Sequence, residues 1–296
     1  MVKLGILDFD TSHVVEFTKR LNHKDIAEEQ WVDGAEVVIG CAGESKIKPE
    51  VIADNVKAMK NLGVPLVDKP EDMIDKVEGM LIESQEGGVH FERAKPFLEA
   101  GIPCFVDKPF ACSTDDAKKM VELAAKKKVP IFSSSSLRYC PELVKFMEGD
   151  HGKIVGALAY GPAHLHDRNP GFFHYGIHAV EILYTLMGGD CERVTCTHEK
   201  DTDVVTGQWK DARLGTVRGI RSGKSDYGVV VFTEKEIAKI DMPATFIYRE
   251  LLKKIVEMFD KKKAPLDAEE TIEIVSFIEA AYKSGNNHGA GETLAG

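Results

Sequence analysis

The sequence predicts a two-domain α/β protein: an N-terminal Rossmann-type parallel sheet, then a C-terminal α+β half on an open, mostly antiparallel sheet. Three observations predict it. Up to residue 136, short apolar runs alternate with helical periodicities, the pattern of right-handed βαβ units. After Ser136, β-rich segments separated by turn residues follow one another. A length of 296 residues also exceeds what one core usually organises. The change of pattern near residues 134–138 divides the chain into 1–136 and 137–296.

Within the first half, strands are expected at Val2–Leu7, Ala35–Cys41, Val64–Val67, Gly79–Glu83, Pro103–Asp107 and Pro130–Ser133. Each is a short apolar run bounded by turn formers. Helices fall between them. Val14, Phe17 and Leu21 recur at helical spacing, and Pro49–Leu62 is closed by Gly63. Val89–Ala100 is closed by Gly101, and Ser113-Thr114-Asp115-Asp116 opens another helix. The second half offers strands at Ile154–Tyr160, Arg193–His198, Asp203–Trp209, Arg213–Ile220, Tyr227–Phe232 and Glu236–Asp241. Helices are expected at His174–Met187, Phe246–Asp260 and Ala268–Lys283, and the Gly- and Asn-rich tail from Gly285 is expected to be mobile.

Composition excludes several classes. The net charge of −10 disfavours a phosphate-backbone partner, so nucleic acid is not expected. Apolar runs stay far below the roughly 20 residues that span a bilayer, and no membrane association is expected. The six cysteines show no Cys-x-x-Cys spacing, which suits reduced thiols and a cytoplasmic protein.

A dinucleotide-binding half carries Gly-x-Gly-x-x-Gly after its first strand. Here the loop reads Asp8-Phe9-Asp10-Thr11-Ser12-His13. Carboxylates at Asp8 and Asp10 would repel a pyrophosphate, whereas Thr11, Ser12 and the helix amides would donate to one. Two readings follow: a cofactor cradled by hydroxyls with the aspartates turned aside, or aspartates that cap the helix. Glu44, after the second strand, is placed to hold a ribose diol and would favour NAD over NADP.

The string Phe105-Val106-Asp107-Lys108-Pro109 delivers an acid, a lysine and a proline to the carboxyl end of a strand, where open α/β sheets bind ligands. A lysine there can hydrogen-bond a substrate hydroxyl and help move its proton.

The stretch Ala100–Pro109 resembles the Glu-Lys-Pro signature of the glucose–fructose oxidoreductase/inositol dehydrogenase/MocA (Gfo/Idh/MocA) family, with Asp107 in place of the glutamate. Ile82-Glu83-Ser84-Gln85 up to His90, Leu137-Arg138-Tyr139, and Gly176-Ile177-His178 on to Leu183 resemble further segments of that family, in the same order. The resemblance implies an NAD- or NADP-dependent dehydrogenase of a sugar, inositol or related polyol, assembled as a homodimer or homotetramer. It places Lys108 by the nicotinamide and the reacting hydroxyl, and makes His178 the proton acceptor. His174 stands four residues earlier, where many members carry an aspartate, and the i, i+4 spacing puts it on one helix face with His178 as a further catalytic candidate. Cofactor contacts are expected from Asp8, Phe9, Asp10, Thr11, Ser12, His13, Glu44, Ser84, Gln85, His90, Lys108 and Pro109.

His164, His166, His174 and His178 cluster in sequence, with Tyr175 among them. The favoured reading is a polar pocket for substrate hydroxyls that binds no metal. Arg138 is assigned to a substrate carboxylate or phosphate, with a structural salt bridge as its equal alternative. Two rival functions use the same scaffold without a nicotinamide: a metal-assisted isomerase or lyase, and a non-catalytic sugar-binding protein.

Overall fold

The structure, a computed structural model, describes residues 1–295. The chain forms two compact units. The first comprises Met1–Ala111, Asp115–Ser134 and Tyr248–Ala268; the second comprises Cys112–Thr114, Ser135–Ile247 and Glu269 onward.

The first unit holds six strands: β1 (Val2–Leu7), β2 (Ala35–Cys41), β3 (Leu66–Val67), β4 (Gly79–Ile82), β5 (Cys104–Val106) and β6 (Ile131–Phe132). They pair in the order β3-β2-β1-β4-β5-β6, all parallel. This is the doubly wound order, with its switch point between β1 and β4. Helices α1 (His13–Leu21), α2 (Ile52–Asn61), α3 (His90–Glu99) and α4 (Thr114–Lys127) connect the strands. β1 and β4 bury every residue past Lys3, which is why they read as continuous apolar runs rather than alternating ones.

The second unit opens with α5 (Pro141–Met147), a short helix that the sequence pattern did not reveal. It continues with β7 (Ile154–Pro162), α6 (Ile177–Met187), β8 (Cys191–Glu199), β9 (Thr202–Trp209), β10 (Leu214–Ile220), β11 (Gly228–Thr233) and β12 (Ile237–Asp241). α7 (Ile247–Lys261) and α8 (Ala268–Asn286) follow, then β13 (Glu292–Thr293). The sheet order is β12-β11-β7-β10-β9-β8-β13, and only β7 and β10 pair in parallel. Trp209 is fully buried over Gly207 and Gly215, at each of which a Cβ would come within 2.8 Å of the indole. Its Nε1 donates to Gly188 O at 2.9 Å, so the aromatic body packs while its polar atom is satisfied.

Three details depart from the sequence expectation. α7 lies almost wholly in the first unit, so that unit is not the contiguous stretch 1–136. Phe259 of α7 covers β4 so closely that a Cβ at Gly79 would stand 2.5 Å from its ring. The tail is tied down rather than mobile: β13 pairs with β8, and Ala295 N donates to Ser276 Oγ, while Gly296 lies outside the described residues. His174 precedes α6 instead of opening it, since Gly171–Phe173 form a 3₁₀ turn and the helix starts at Ile177.

Candidate active site

In the first unit the polar residues of interest collect at the carboxyl ends of β1, β4 and β5. Asp8, Asp10 and His13 occupy the three glycine positions of the Gly-x-Gly-x-x-Gly spacing, and Asp8 adopts a left-handed φ of 65°. All three side chains turn into the protein. Asp8 and Asp10 are 1% and 2% exposed, so neither carboxylate faces solvent.

Asp8 Oδ2 accepts from Ser84 Oγ, bridging the switch point, and lies 2.9 Å from Arg93 Nε of α3. Burial pushes its carboxyl up to about 6, against the opposing pull of Arg93. Asp10 accepts from Ser45 Oγ at 2.6 Å and from Gln85 N at 3.0 Å, while Gln85 Nε2 donates back to Asp10 O. Burial raises its pKa as well. Neither aspartate caps α1, whose N-cap residue Ser12 makes no side-chain capping bond. The capping reading is therefore replaced by aspartates held inward by protein partners. Arg93 and Ser45 were not singled out from sequence, because both act only through pairing with these buried acids.

Several expected cofactor contacts prove to be structural. Phe9 is fully buried, and a Cβ on Gly40 would stand 2.7 Å from its ring. His90 is also fully buried. Its Nδ1 lies 2.9 Å from Pro109 O and its Nε2 lies 2.8 Å from Ser84 O, so it ties the loop after β4 to the loop after β5. Burial holds its imidazole below the ordinary value. Both ring nitrogens face backbone carbonyls, which leaves none for a ligand. Thr11 is buried and its Oγ1 accepts from His13 N, whereas Ser12 and Glu44 are exposed.

Beneath the loop, His13 Nδ1 stands 3.0 Å from Asp107 Oδ2 and 3.4 Å from Glu83 Oε2. Its ring stacks on Phe17 and meets Tyr248 edge-on. Burial alone would lower the imidazole, but Asp107 and Glu83 carry it up to about 10. Burial raises Glu83 to about 7. For Asp107, burial is outweighed by His13 and Lys108, which hold the carboxyl below its ordinary range. Lys108 Nζ lies 3.7 Å from Asp107 Oδ2, its side chain is 14% exposed, and the Lys108–Pro109 peptide is cis.

A dinucleotide can be tested against this surface. With the acids inward, the loop presents the exposed Ser12 and the amino end of α1. Helix amides and a hydroxyl suit a pyrophosphate, and the exposed Glu44 after β2 suits a ribose diol. These residues fit the group, with Ser12 taking the part that glycines usually leave to bare backbone.

In the second unit the structure brings most of the expected substrate residues together. Ring centroids run from His166 to His174 at 5.3 Å, His174 to Tyr175 at 4.9 Å and Tyr175 to His178 at 6.2 Å. His164 meets Tyr175 at 5.5 Å, and Tyr227, which sequence reasoning missed, meets His178 at 5.4 Å. Ser135 Oγ lies 2.7 Å from His178 Nδ1 and fixes the ring. These histidines do not assemble as metal ligands; among the described residues only His13, Glu83 and Asp107 bring three such atoms within 4.8 Å of one another. Arg138 is committed elsewhere. Its Nε lies 2.8 Å from Glu181 and its Nη1 lies 2.9 Å from Glu270, with every partner largely buried. The assigned substrate contact gives way to the structural salt bridge, because both carboxylates need this guanidinium.

The first unit is a doubly wound sheet with polar groups gathered at its switch point, and the second unit is built on an open sheet. Residues 37–135 match the model of the Gfo/Idh/MocA oxidoreductase family, which has an NAD-binding Rossmann fold. That segment, 99 of the 296 residues, is what the chain has in common with this family. A relative from Salmonella typhimurium named as an oxidoreductase, YceM, is 30% identical over 78 residues, 26% of this chain and 25% of its own length. Among solved structures, myo-inositol 2-dehydrogenase from Lactobacillus plantarum superposes with a TM-score of 0.80 at 16% identity over 99% of both chains. Myo-inositol dehydrogenase from Lactobacillus casei, solved with NAD(H) and myo-inositol, gives 0.78 at 14% identity over 100% of this chain and 97% of that one. At such identities the likeness is one of fold. Among the described residues, no helix is long and apolar enough to cross a membrane.

Proposed function

We propose that this protein is an NAD(P)-dependent dehydrogenase of a sugar, inositol or related polyol. The observation that carries the reading is Lys108, half-buried at the carboxyl end of β5 beside its counter-ion Asp107, within the segment that matches an oxidoreductase family. The inositol substrates of the structural relatives support the substrate class. A bound nicotinamide supplies a hydride acceptor. Ser12 and the amino end of α1 hold its pyrophosphate, and Glu44 selects the 2′-hydroxyl of NAD over the 2′-phosphate of NADP. The Lys108 ammonium donates a hydrogen bond to the substrate oxygen, and the His178 imidazole, steered by Ser135, takes the hydroxyl proton. His164, His166, His174 and Tyr175 offer hydrogen bonds to the remaining hydroxyls. The functional assembly is a homodimer or homotetramer working in the cytoplasm.

The test is calorimetric binding of NAD and NADP, followed by oxidation of myo-inositol and a panel of polyols monitored at the nicotinamide absorbance. NAD is expected to bind more tightly than NADP, and Lys108→Ala and His178→Ala are each expected to lower kcat by roughly 10²–10⁴-fold with the fold intact. No binding of either nucleotide at millimolar concentration overturns the reading. Unchanged turnover in Lys108→Ala overturns the role given to that residue.

A further inference from the structure

We propose that His13, Glu83 and Asp107 bind a divalent first-row transition cation inside the first unit. The three side chains come from three elements, the start of α1 and the carboxyl ends of β4 and β5, and converge on one point. Their separations of 3.0 Å and 3.4 Å suit a shared ion. With metal–ligand bonds of about 2.1 Å, neighbouring ligands stand ~3.0 Å apart in an octahedron and ~3.4 Å apart in a tetrahedron.

The independent observation is buried polar atoms that make ion pairs but no well-formed hydrogen bond. Glu83 and Asp107 are both 0% exposed, and neither oxygen of either carboxylate has a hydrogen-bond partner; nor does His13 Nδ1. Buried polar atoms are almost always satisfied, and an orphaned group points to an unseen ion or water. The nearby cations do not suffice. Lys108 Nζ stands 3.7 Å from Asp107 Oδ2, too far for a hydrogen bond, and an imidazolium offers Nδ1 a single proton for two carboxylates. Both oxygens of Glu83 and Oδ1 of Asp107 are then left without a hydrogen bond. A divalent ion in place of that proton neutralises the two carboxylates and ligates all three residues at once. One imidazole with two carboxylates suits zinc, manganese or iron, rather than the all-oxygen shell of calcium or magnesium. Because the ligands are wholly buried, the ion ties the loop after β1 to the ends of β4 and β5. It acts on the chain without touching a substrate, so the proposal stands apart from the dehydrogenase reading.

The experiment is titration of the chelator-stripped full chain with zinc chloride and manganese chloride, followed by calorimetry and by Tm. One equivalent of ion and a rise in Tm are expected, with at least a tenfold loss of affinity in Glu83→Gln and in His13→Gln. Should those variants fail to fold, the wild type decides: the electron-spin-echo spectrum of the manganese-loaded chain is expected to show nitrogen coupling from one imidazole. Absence of stoichiometric binding at 1 mM ion, on the order of the weakest physiological cation sites, overturns the proposal. So does binding that Glu83→Gln leaves intact, or manganese without nitrogen coupling. No nicotinamide or substrate enters the measurement, so its failure and that of the proposed enzymatic activity are distinguishable.

Discussion

The Asp8 carboxylate lies over the α-carbon of Gly43: a Cβ built there would stand 1.7 Å from Oδ1, at a backbone φ of +61°. One residue needs the other to be glycine. Gly43→Ala should therefore lose more than about 2 kcal/mol, from a strained left-handed residue plus a clash with a buried acid. In an Asp8→Gly background the clash disappears and the cost should fall by at least ~1 kcal/mol. Urea denaturation of the four proteins of this cycle measures the coupling; additive costs would show that the contact does not matter.

Asp8 also sets a pH dependence. Its folded-state pKa of about 6 lies above the unfolded value of 3.8, so between those values the folded chain binds more protons than the unfolded one. The sign is destabilising: stability from this group falls as pH rises from roughly 4 to 6, on the order of 3 kcal/mol in total. Asp8→Asn removes the titration. The Tm of Asp8→Asn minus that of the wild type should grow between pH 4 and pH 7, and a flat difference would remove Asp8 as its source.

Arg138→Met should be severely destabilising. It strips the partner from Glu181, which is buried and already raised by that burial, and from Glu270. Breaking such a pair costs about 3–5 kcal/mol. A variant that keeps its Tm and raises KM would instead restore Arg138 to the substrate.

Ser135→Ala should leave the fold intact, because the contact of its hydroxyl to His178 and its local turn bond to Leu137 N hold no core packing. The His178 ring then loses its orientation, and kcat is expected to fall by about tenfold, or ~1.4 kcal/mol, with little change in KM. Rescue by Ser135→Thr would tie the effect to the hydroxyl.

The strands of the first unit were legible because both their faces are buried: Leu4–Leu7 and Gly79–Ile82 can only be apolar. α5 escaped because seven residues are too few for a periodicity to register. In the site, Lys108 announced itself by its place at a strand end. Arg93, Ser45 and Tyr227 did not, since each matters only through a neighbour remote in sequence. The loop was half legible: Asp8 and Asp10 were plainly unusual, but the direction of their side chains depended on Ser84, Gln85 and Arg93. His174 shows the opposite error, where helical spacing extended one turn too far across Gly171–Phe173.

The return of α7 to the first unit has a consequence for biosynthesis. Gly79 and Gly34 of the nucleotide-binding sheet wait for Phe259 and Val256, which leave the ribosome more than 170 residues after β4. The first unit therefore cannot seal its hydrophobic interior until α7 has been made, whereas a contiguous domain could do so earlier. It must stay partly uncovered while the second sheet is synthesised, and the emerging chain is most in need of chaperone protection during that interval.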